Sequence, residues 1–352
     1  MPEIERRLTT AWAQRIVDHH AHGAAVAGVK VHSVDVGTTT RVRVAVEHNG
    51  PQTLPRRWFV KLPSQLWRVR MITALPQLLQ TEARFYQELA HSVPVARPTV
   101  LATQRRWGQG TAVVLADVTE DGSTPGSPCD ALTAVQATSV VEQLARLHAR
   151  FWHKTSLDSA DDWLAGSMRR WEDRLGSALA VPLMRRGLSR AGNIVPAALH
   201  APALRYASQR RQAMQFLAAG PHTLVHHDLH PGNFFWRESQ PGFLDWQLVR
   251  IGEGIGDVAY FLATALAPET RRTYELDLLT RYQQVLAEQG IAAPNATTLL
   301  QRYRLHLAYP FEAMVVTLAV GGMMGLGANL ELIRRAAAAV EDHDTFAVFR
   351  WN

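Results

Sequence analysis

The sequence predicts an α+β chain in two parts: a small N-terminal α/β lobe with an antiparallel sheet, residues 1–117, and a larger, mainly helical lobe, residues 118–352. Three observations carry this. Segments before Asp117 alternate apolar and polar residues with the period of two that a half-buried strand shows. The stretch Thr119 to Asp130 is dense in Gly, Pro, Ser and Asp and reads as a loop. From Ala131 onward, apolar residues recur at helical spacing.

Each element follows in order. Trp12 to His19 has the spacing of a helix, and Val29–Val36 and Arg41–His48 alternate as strands. Gly37-Thr38-Thr39-Thr40 lies between them as a hairpin tip, and Asn49-Gly50-Pro51 is the next turn. A third strand, Arg57–Pro63, places Lys61 among apolar neighbours. Leu78 to Leu89 reads as a helix with Leu78, Phe85 and Leu89 near one face and Glu82 within it; Thr99–Ala102 and Thr111–Leu115 are further strands. Beyond the loop, Val140, Leu144, Leu147 and Phe151 recur at i, i+4, i+7 and i+11, an amphipathic stripe. Pro196 and Pro202 break a later helical region, and Arg271–Ala287 and Leu299–Leu318 are helices.

Ala313 to Leu330 carries no charge, but Gly321, Gly322, Gly325, Gly327 and Asn329 dilute it. It falls short of the roughly 20 apolar residues of a membrane span and reads as a glycine-interrupted pair of core helices.

At 352 residues, with 47% apolar and 19% charged residues, the chain is globular and long enough for two cores. Cys129 is the only cysteine, which excludes an internal disulfide framework and fits a reducing compartment. The first ten residues hold no apolar run of signal-peptide type, so a cytoplasmic protein is expected. The net charge of +6 comes from arginine doublets spread along the whole chain, the pattern of a solvated surface rather than a nucleic-acid or membrane patch.

Chemistry concentrates in Val225-His226-His227-Asp228-Leu229-His230-Pro231-Gly232-Asn233, followed by Phe243-Leu244-Asp245-Trp246-Gln247. An Asp, an Asn five residues on and a second Asp twelve beyond that is a phosphoryl-transfer arrangement. Asp228 is placed to orient and deprotonate an alcohol, while Asn233 and Asp245 offer oxygen ligands for Mg²⁺ on a nucleotide. Pro231-Gly232 turns the loop so that Asp228 and Asn233 face one way. His226, His227, Asp228 and His230, with His222 nearby, would also serve a zinc or di-metal hydrolase, but no second dense cluster downstream completes such a site. His226 reads instead as a buried imidazole bonded to backbone, bracing the loop. A kinase also grips the phosphates with a strand lysine held by a helix glutamate, the roles for which Lys61 and Glu82 are placed.

With these residues assembled, the chain resembles the aminoglycoside phosphotransferase and choline kinase superfamily, and within it the ecdysteroid kinase-like family and its bacterial relatives. The carrying segments are Phe59–Ser64, Glu82–Leu89, Leu144–Trp152, His226–Asn233, Asp245–Gln247 and Gly256–Leu262. The resemblance implies a protein-kinase-like bilobal fold, ATP as cofactor (GTP is the alternative), and Mg²⁺. It implies Asp228 as catalytic base, Asn233 and Asp245 as metal ligands, and Lys61, oriented by Glu82, on the phosphates. It further implies Gly37, Thr38, Thr39 and Thr40 as the phosphate-covering turn, the Ala116 carbonyl and Val118 amide against the nucleobase, and Asp257 as a brace of the catalytic loop. Three positions depart from the family pattern: His227 stands where Gly is usual, the covering turn has Gly37 alone among threonines, and Ala116 replaces a usual Glu.

The resemblance implies a small-molecule alcohol as acceptor. Residues around Met168–Trp171, Met214 and Phe311–Met324 are candidates to line its site, and no acidic run beyond Asp158–Asp162 suits a polycation. A neutral, rather hydrophobic alcohol of sterol, terpenoid, polyketide or macrolide type is therefore expected over an aminoglycoside or choline. The alternative of another class is a non-catalytic nucleotide-binding module. A protein kinase fits less well, because Gly256-Asp257 follows Asp245 too soon for an activation loop.

Overall fold

The computed structural model describes residues 2–64, 78–106, 110–153, 161–165 and 167–351. By its contacts the chain divides into one unit of residues Met1–His91 and Arg97–Pro125, and a second of Ser92–Ala96 and Gly126–Asn352.

The first unit is built on a five-stranded antiparallel sheet. Its helix α1 (Thr10–His20) starts at Thr9, whose hydroxyl accepts from the Trp12 amide at 3.2 Å. Strands β1 (Val26–Val36), β2 (Thr39–His48) and β3 (Arg57–Pro63) follow, then α2 (Leu78–Arg84), β4 (Val100–Arg106) and β5 (Gly110–Ala116). The strand order is β1-β2-β3-β5-β4. Alternation along β3 sends Trp58 and Val60 into a core with Trp12, Ile16 and Val17 of α1, where the Trp12 and Trp58 rings meet edge to face at 5.7 Å. The same alternation turns Lys61 away from that core. Helix α2 runs on through a π-turn at Phe85–Leu89, and Leu78, Phe85 and Leu89 are buried as their spacing implies.

The hairpin tip is tighter than the four residues expected. Thr40 pairs with Val36 and Leu62, and Thr39 with Pro63, so only Gly37 and Thr38 lie between the strands. Threonine is β-branched and suits a pleated surface, and both side chains are buried there. The short turn Val118–Asp121 also belongs to this unit, because the Glu120 carboxylate accepts from the Arg56 and Arg57 amides at 2.9 and 2.7 Å.

The second unit is mainly helical. Helix α3 (Ala134–Arg150) opens with a capping box between Thr133 and Gln136 and buries Val140, Leu144 and Leu147, with Phe151 buried just beyond it. Helices α4 (Ser167–Ala191) and α5 (Ala197–Ser208) follow. Pro196 precedes α5, as a helix start allows, but Pro202 lies inside it rather than ending it. Burial of Leu199, Ala203 and Tyr206 outweighs the one backbone bond that proline forfeits. The side chains of residues 166–172, including the Met168–Trp171 segment, and the start of the Asp158–Asp162 run lie outside the described residues.

Strands β6 (His222–Val225), β7 (Phe234–Arg237), β8 (Gln240–Phe243) and β9 (Arg250–Glu253) come next, with β6 antiparallel to β9 and β7 to β8. β9 runs directly into α6 (Gly254–Ala265), in which every residue but Gly256 is buried. Around α6 pack α3 and the helices α7 (Pro268–Glu288), α8 (Ala296–His306), α9 (Ala308–Val320) and α10 (Leu326–Asp342). The stretch expected as one helix, Leu299–Leu318, is divided at Leu307 between α8 and α9. The apolar stretch Ala313–Leu330 is split by the glycines at 321–325 between α9 and α10, and no helix among the described residues is long and apolar enough to cross a membrane.

Gly254 marks the closest packing in this arrangement: a Cβ there would fall 2.7 Å from both His148 Nδ1 and Tyr282 Oη. Gly254→Ala is expected to destabilise the second unit by about 1–3 kcal/mol. Denaturant unfolding measures it, and an unchanged midpoint would mean that α3 and α7 can move apart.

Candidate active site

Asp228, Asn233 and Asp245 all fall between β6 and α6. β6 ends at Val225, the loop 226–233 follows, and the β7–β8 hairpin returns the chain to Asp245. A one-turn helix and β9 then lead into α6. Neighbours in sequence are thereby folded back on one another.

Asp257, in the first turn of α6, holds the loop by its backbone. Its carboxylate accepts from the amides of His226 at 2.7 Å and His227 at 2.8 Å, and His148 Nε2 stands 3.3 Å away. Asp257 is 1% exposed, so these donors and the positive end of the helix offset its desolvation. His226 is fully buried with both ring nitrogens engaged: Nε2 donates to the Leu244 carbonyl at 2.8 Å and Nδ1 accepts from the Asp228 amide at 3.3 Å. The imidazole braces the loop against the strand exit near Asp245, and those two bonds set its tautomer.

The loop contains one costly backbone conformation. His227 has φ +72°, in the left-handed region where a side chain costs about 1–2 kcal/mol. Its amide bond to Asp257 and the stacking of its ring on Tyr309, centroids 4.1 Å apart, hold it there. Asp245 is the second such residue, at φ +61°.

Asp228 follows with its carboxylate fixed from two sides. Tyr260 donates its hydroxyl to Oδ1 at 2.7 Å, and Asn233 Nδ2 donates to Oδ2 at 3.0 Å and to the Asp228 carbonyl at 2.7 Å. Asn233 is reached through the Pro231–Asn233 turn, which His230 caps by accepting from the Gly232 amide at 3.1 Å. Its own carbonyl accepts from the Leu244 amide at 2.8 Å, tying the loop to the residue before Asp245. Burial, with the Asp228 carboxylate beside it, pushes the Tyr260 phenol well above its usual range, so it stays a donor.

The residues expected in the first unit are placed as follows. Lys61 Nζ lies 2.7 and 2.9 Å from the two Glu82 carboxylate oxygens, both side chains buried. Ala116 closes β5 and Val118 opens the turn after it, with buried Asp117 between them. Gly37 is buried at the hairpin tip, its carbonyl accepting from Ser64 Oγ at 2.8 Å. Thr39 and Thr40 are strand residues with buried side chains.

Two functional-looking residues have no role in the sequence reading. Tyr260 lies three residues past Asp257, so helical spacing alone puts both on one face of α6. Tyr309 is brought in by α9 from far along the chain, and no local signal marks it. Its phenol is raised by burial, with the Arg250 guanidinium opposing and the Asp228 carboxylate adding.

The Lys61–Glu82 pair carries a stability consequence. Glu82→Ala leaves a buried ammonium without its carboxylate and is expected to cost about 3–5 kcal/mol. Replacing both, Lys61→Met with Glu82→Leu, should recover much of that loss in denaturant unfolding. A double variant no better than Glu82→Ala would show that the cost lies in packing rather than charge.

Comparison with known proteins bears on this geometry. The model of a family described as a phosphotransferase enzyme family (APH) matches residues 39–294. No curated protein matches the chain in sequence. Among solved structures, a choline kinase from Cryptosporidium parvum Iowa II is similar at 11% identity and TM-score 0.56, over 96% of this chain and 97% of that one. A choline kinase from Streptococcus pneumoniae is similar at 13% identity and TM-score 0.50, over 94% and 98%. The GDP complex of an aminoglycoside 2'-phosphotransferase-IIIa is similar at 13% identity and TM-score 0.50, also over 94% and 98%. These likenesses establish the protein-kinase-like, bilobal α+β fold expected from the sequence. Because the family match takes in β2, the loop 226–233 and α6 together, the chain belongs to the phosphotransferase enzyme family and is a phosphotransferase.

Proposed function

We propose that this protein is an ATP-dependent small-molecule O-phosphotransferase, moving a γ-phosphoryl group to a hydroxyl of a neutral, rather hydrophobic alcohol, with GTP as the alternative donor. The observation that carries this reading is the geometry at Asp228, a carboxylate held from two sides within a loop that is itself braced. In the proposed reaction Asp228 orients the acceptor hydroxyl and takes its proton.

The donor set suits Mg²⁺. Asn233 has its Nδ2 committed to Asp228, which leaves Oδ1 as the atom to meet a cation. With the Asp245 carboxylate this makes an all-oxygen pair, the ligand type that Mg²⁺ takes alongside phosphates and water. Bound with the nucleotide, the ion neutralises charge on the phosphates. Lys61, oriented by Glu82, binds the phosphates, and the Ala116 carbonyl and Val118 amide meet the nucleobase. The turn at Gly37–Thr40 covers the phosphates with fewer loop amides than expected, since Thr39 and Thr40 are in β2. That observation favours, as a second reading, a module that binds nucleotide without transferring phosphate.

Charge pairing in the second unit supports a neutral acceptor. The Tyr309 phenol lies in the field of Asp228, Arg250, Arg210 and Glu312. Arg250 pairs with Asp173 at 3.1 Å, and Glu312 accepts from Arg210 at 2.5 Å and from Tyr206 at 3.1 Å. Carboxylates already paired with arginine offer little to a polycation. Phe311 and Met314, once candidates for the lining, are core residues. The finer kinship, to the ecdysteroid kinase-like branch, rests on Asp245-Trp246-Gln247 and Gly256–Leu262. The single cysteine, as in a reducing compartment, is the ground for a cytoplasmic location.

Thermal unfolding with ATP or GTP, with and without Mg²⁺, tests the site. A Mg²⁺-dependent rise is expected in wild type and in Asp228→Asn, and should be lost in Asp245→Ala. No nucleotide response in wild type would sink the proposal. Asp228→Asn is further expected to abolish transfer to any acceptor found, and transfer at the wild-type rate would remove Asp228 as base. In an acceptor screen, turnover is expected on neutral polycyclic alcohols and not on kanamycin; the reverse would overturn the acceptor class. Nucleotide binding with no phosphorylated product from any alcohol would favour the second reading.

A further inference from the structure

One face of α6 meets the catalytic loop residue by residue. Asp257, Tyr260 and Thr264 stand at i, i+3 and i+7, a single stripe of an α-helix. Asp257 accepts the His226 and His227 amides, Tyr260 donates to the Asp228 carboxylate at 2.7 Å, and Thr264 Oγ1 lies 3.4 Å from the Leu229 carbonyl. Three consecutive loop residues, 226 to 228, are thus hydrogen-bonded to one rigid helix. Asp257, Tyr260 and Thr264 are at most 1% exposed, so water does not compete for these bonds.

We propose that Tyr260 is a positioning residue for the reaction, fixing the rotation of the Asp228 carboxylate so that one face stays open to the acceptor hydroxyl. This rests on the reading of Asp228 as base. An Asp carboxyl turns in a broad, shallow well about χ2 and does not hold one orientation unaided. Asn233 on Oδ2 supplies one restraint and Tyr260 on Oδ1 the other, and two donors on different oxygens define a plane. Asn233 comes from the loop itself and moves with it. Tyr260 comes from the buried helix and refers the carboxylate to the core of the unit. Tyr260 acts through Asp228 in this role and touches neither acceptor nor nucleotide. Its hydroxyl remains a donor throughout, and the proton of the acceptor goes to Asp228.

The test is Tyr260→Phe, which removes the donor and keeps the ring in its packing. With MgATP and water as acceptor, or an alcohol found by screening, kcat is expected to fall about 10- to 100-fold, the scale of a misplaced reacting group. KM for MgATP and the MgATP-induced rise in melting temperature should stay at wild-type values. A crystal structure of the variant should show the Asp228 carboxylate rotated or in two orientations. An unchanged kcat, or an unmoved and singly oriented carboxylate, would overturn the proposal. As a second variant, 3,5-difluorotyrosine at position 260 keeps a donor of greater acidity. Near wild-type turnover supports positioning, whereas turnover that tracks the acidity of the phenol would make Tyr260 a proton carrier and defeat it. Failure of wild type to bind MgATP would count against the kinase reading alone, since the orientation of Asp228 in the variant crystal is read without turnover.

Discussion

The second unit depends on the buried carboxylate of Asp257 accepting two successive backbone amides. The loop that leaves β6 is irregular, and the amides of His226 and His227 have no strand partner. Asp257 takes those of His226 and His227 together, and His148 of α3 stands against the same carboxylate. An unsatisfied amide at such depth costs about 1–3 kcal/mol, so this bonding decides whether the loop has one conformation or many. Everything downstream inherits that definition. His226 can reach Leu244 only because its backbone is held, and Asn233 can return to Asp228 only because the turn at Pro231 starts from a fixed point.

Strain in the site is borne locally. His227 and Asp245 both adopt left-handed backbone, which their side chains disfavour. Such conformations persist where surrounding bonds over-determine them. For His227 the Asp257 bond and the Tyr309 stack do this, which explains how a histidine occupies a place where glycine would be easier. An imidazole ring therefore lies stacked on Tyr309 where glycine would leave space.

The first unit handles charge in another way. Lys61 and Glu82 are both removed from water, and a pair of this kind contributes little net stability compared with packed apolar side chains. What it supplies is a fixed ammonium on a central strand. The sheet makes this possible, because alternation along β3 separates Lys61 from the tryptophan-lined core on the opposite face.

Much of this was legible in the chain alone. Period-two alternation marked β1, β2 and β3, and helical spacing marked the stripe of α3, because these patterns record which side of an element faces a core. Lys61, Glu82, Asp228 and Asn233 could be singled out too, and the structure pairs Lys61 with Glu82 and Asn233 with Asp228. Boundaries were less so: the tip residues Thr39 and Thr40 joined β2, Pro202 stayed inside α5, and one expected helix divided at Leu307. In each case packing outweighed a local preference. What the sequence by itself determined is therefore the order of elements and the chemical kinds of side chain, both encoded by neighbours a few residues apart. The tertiary structure alone decided that Tyr309, some eighty residues downstream, stacks on His227, that Glu312 spends its charge on Arg210, and which atoms of Asp228 are held by Tyr260 and Asn233. Those facts depend on how α6, α9 and the helix Arg210–Leu217 pack, and long-range packing leaves no periodic trace in a single chain.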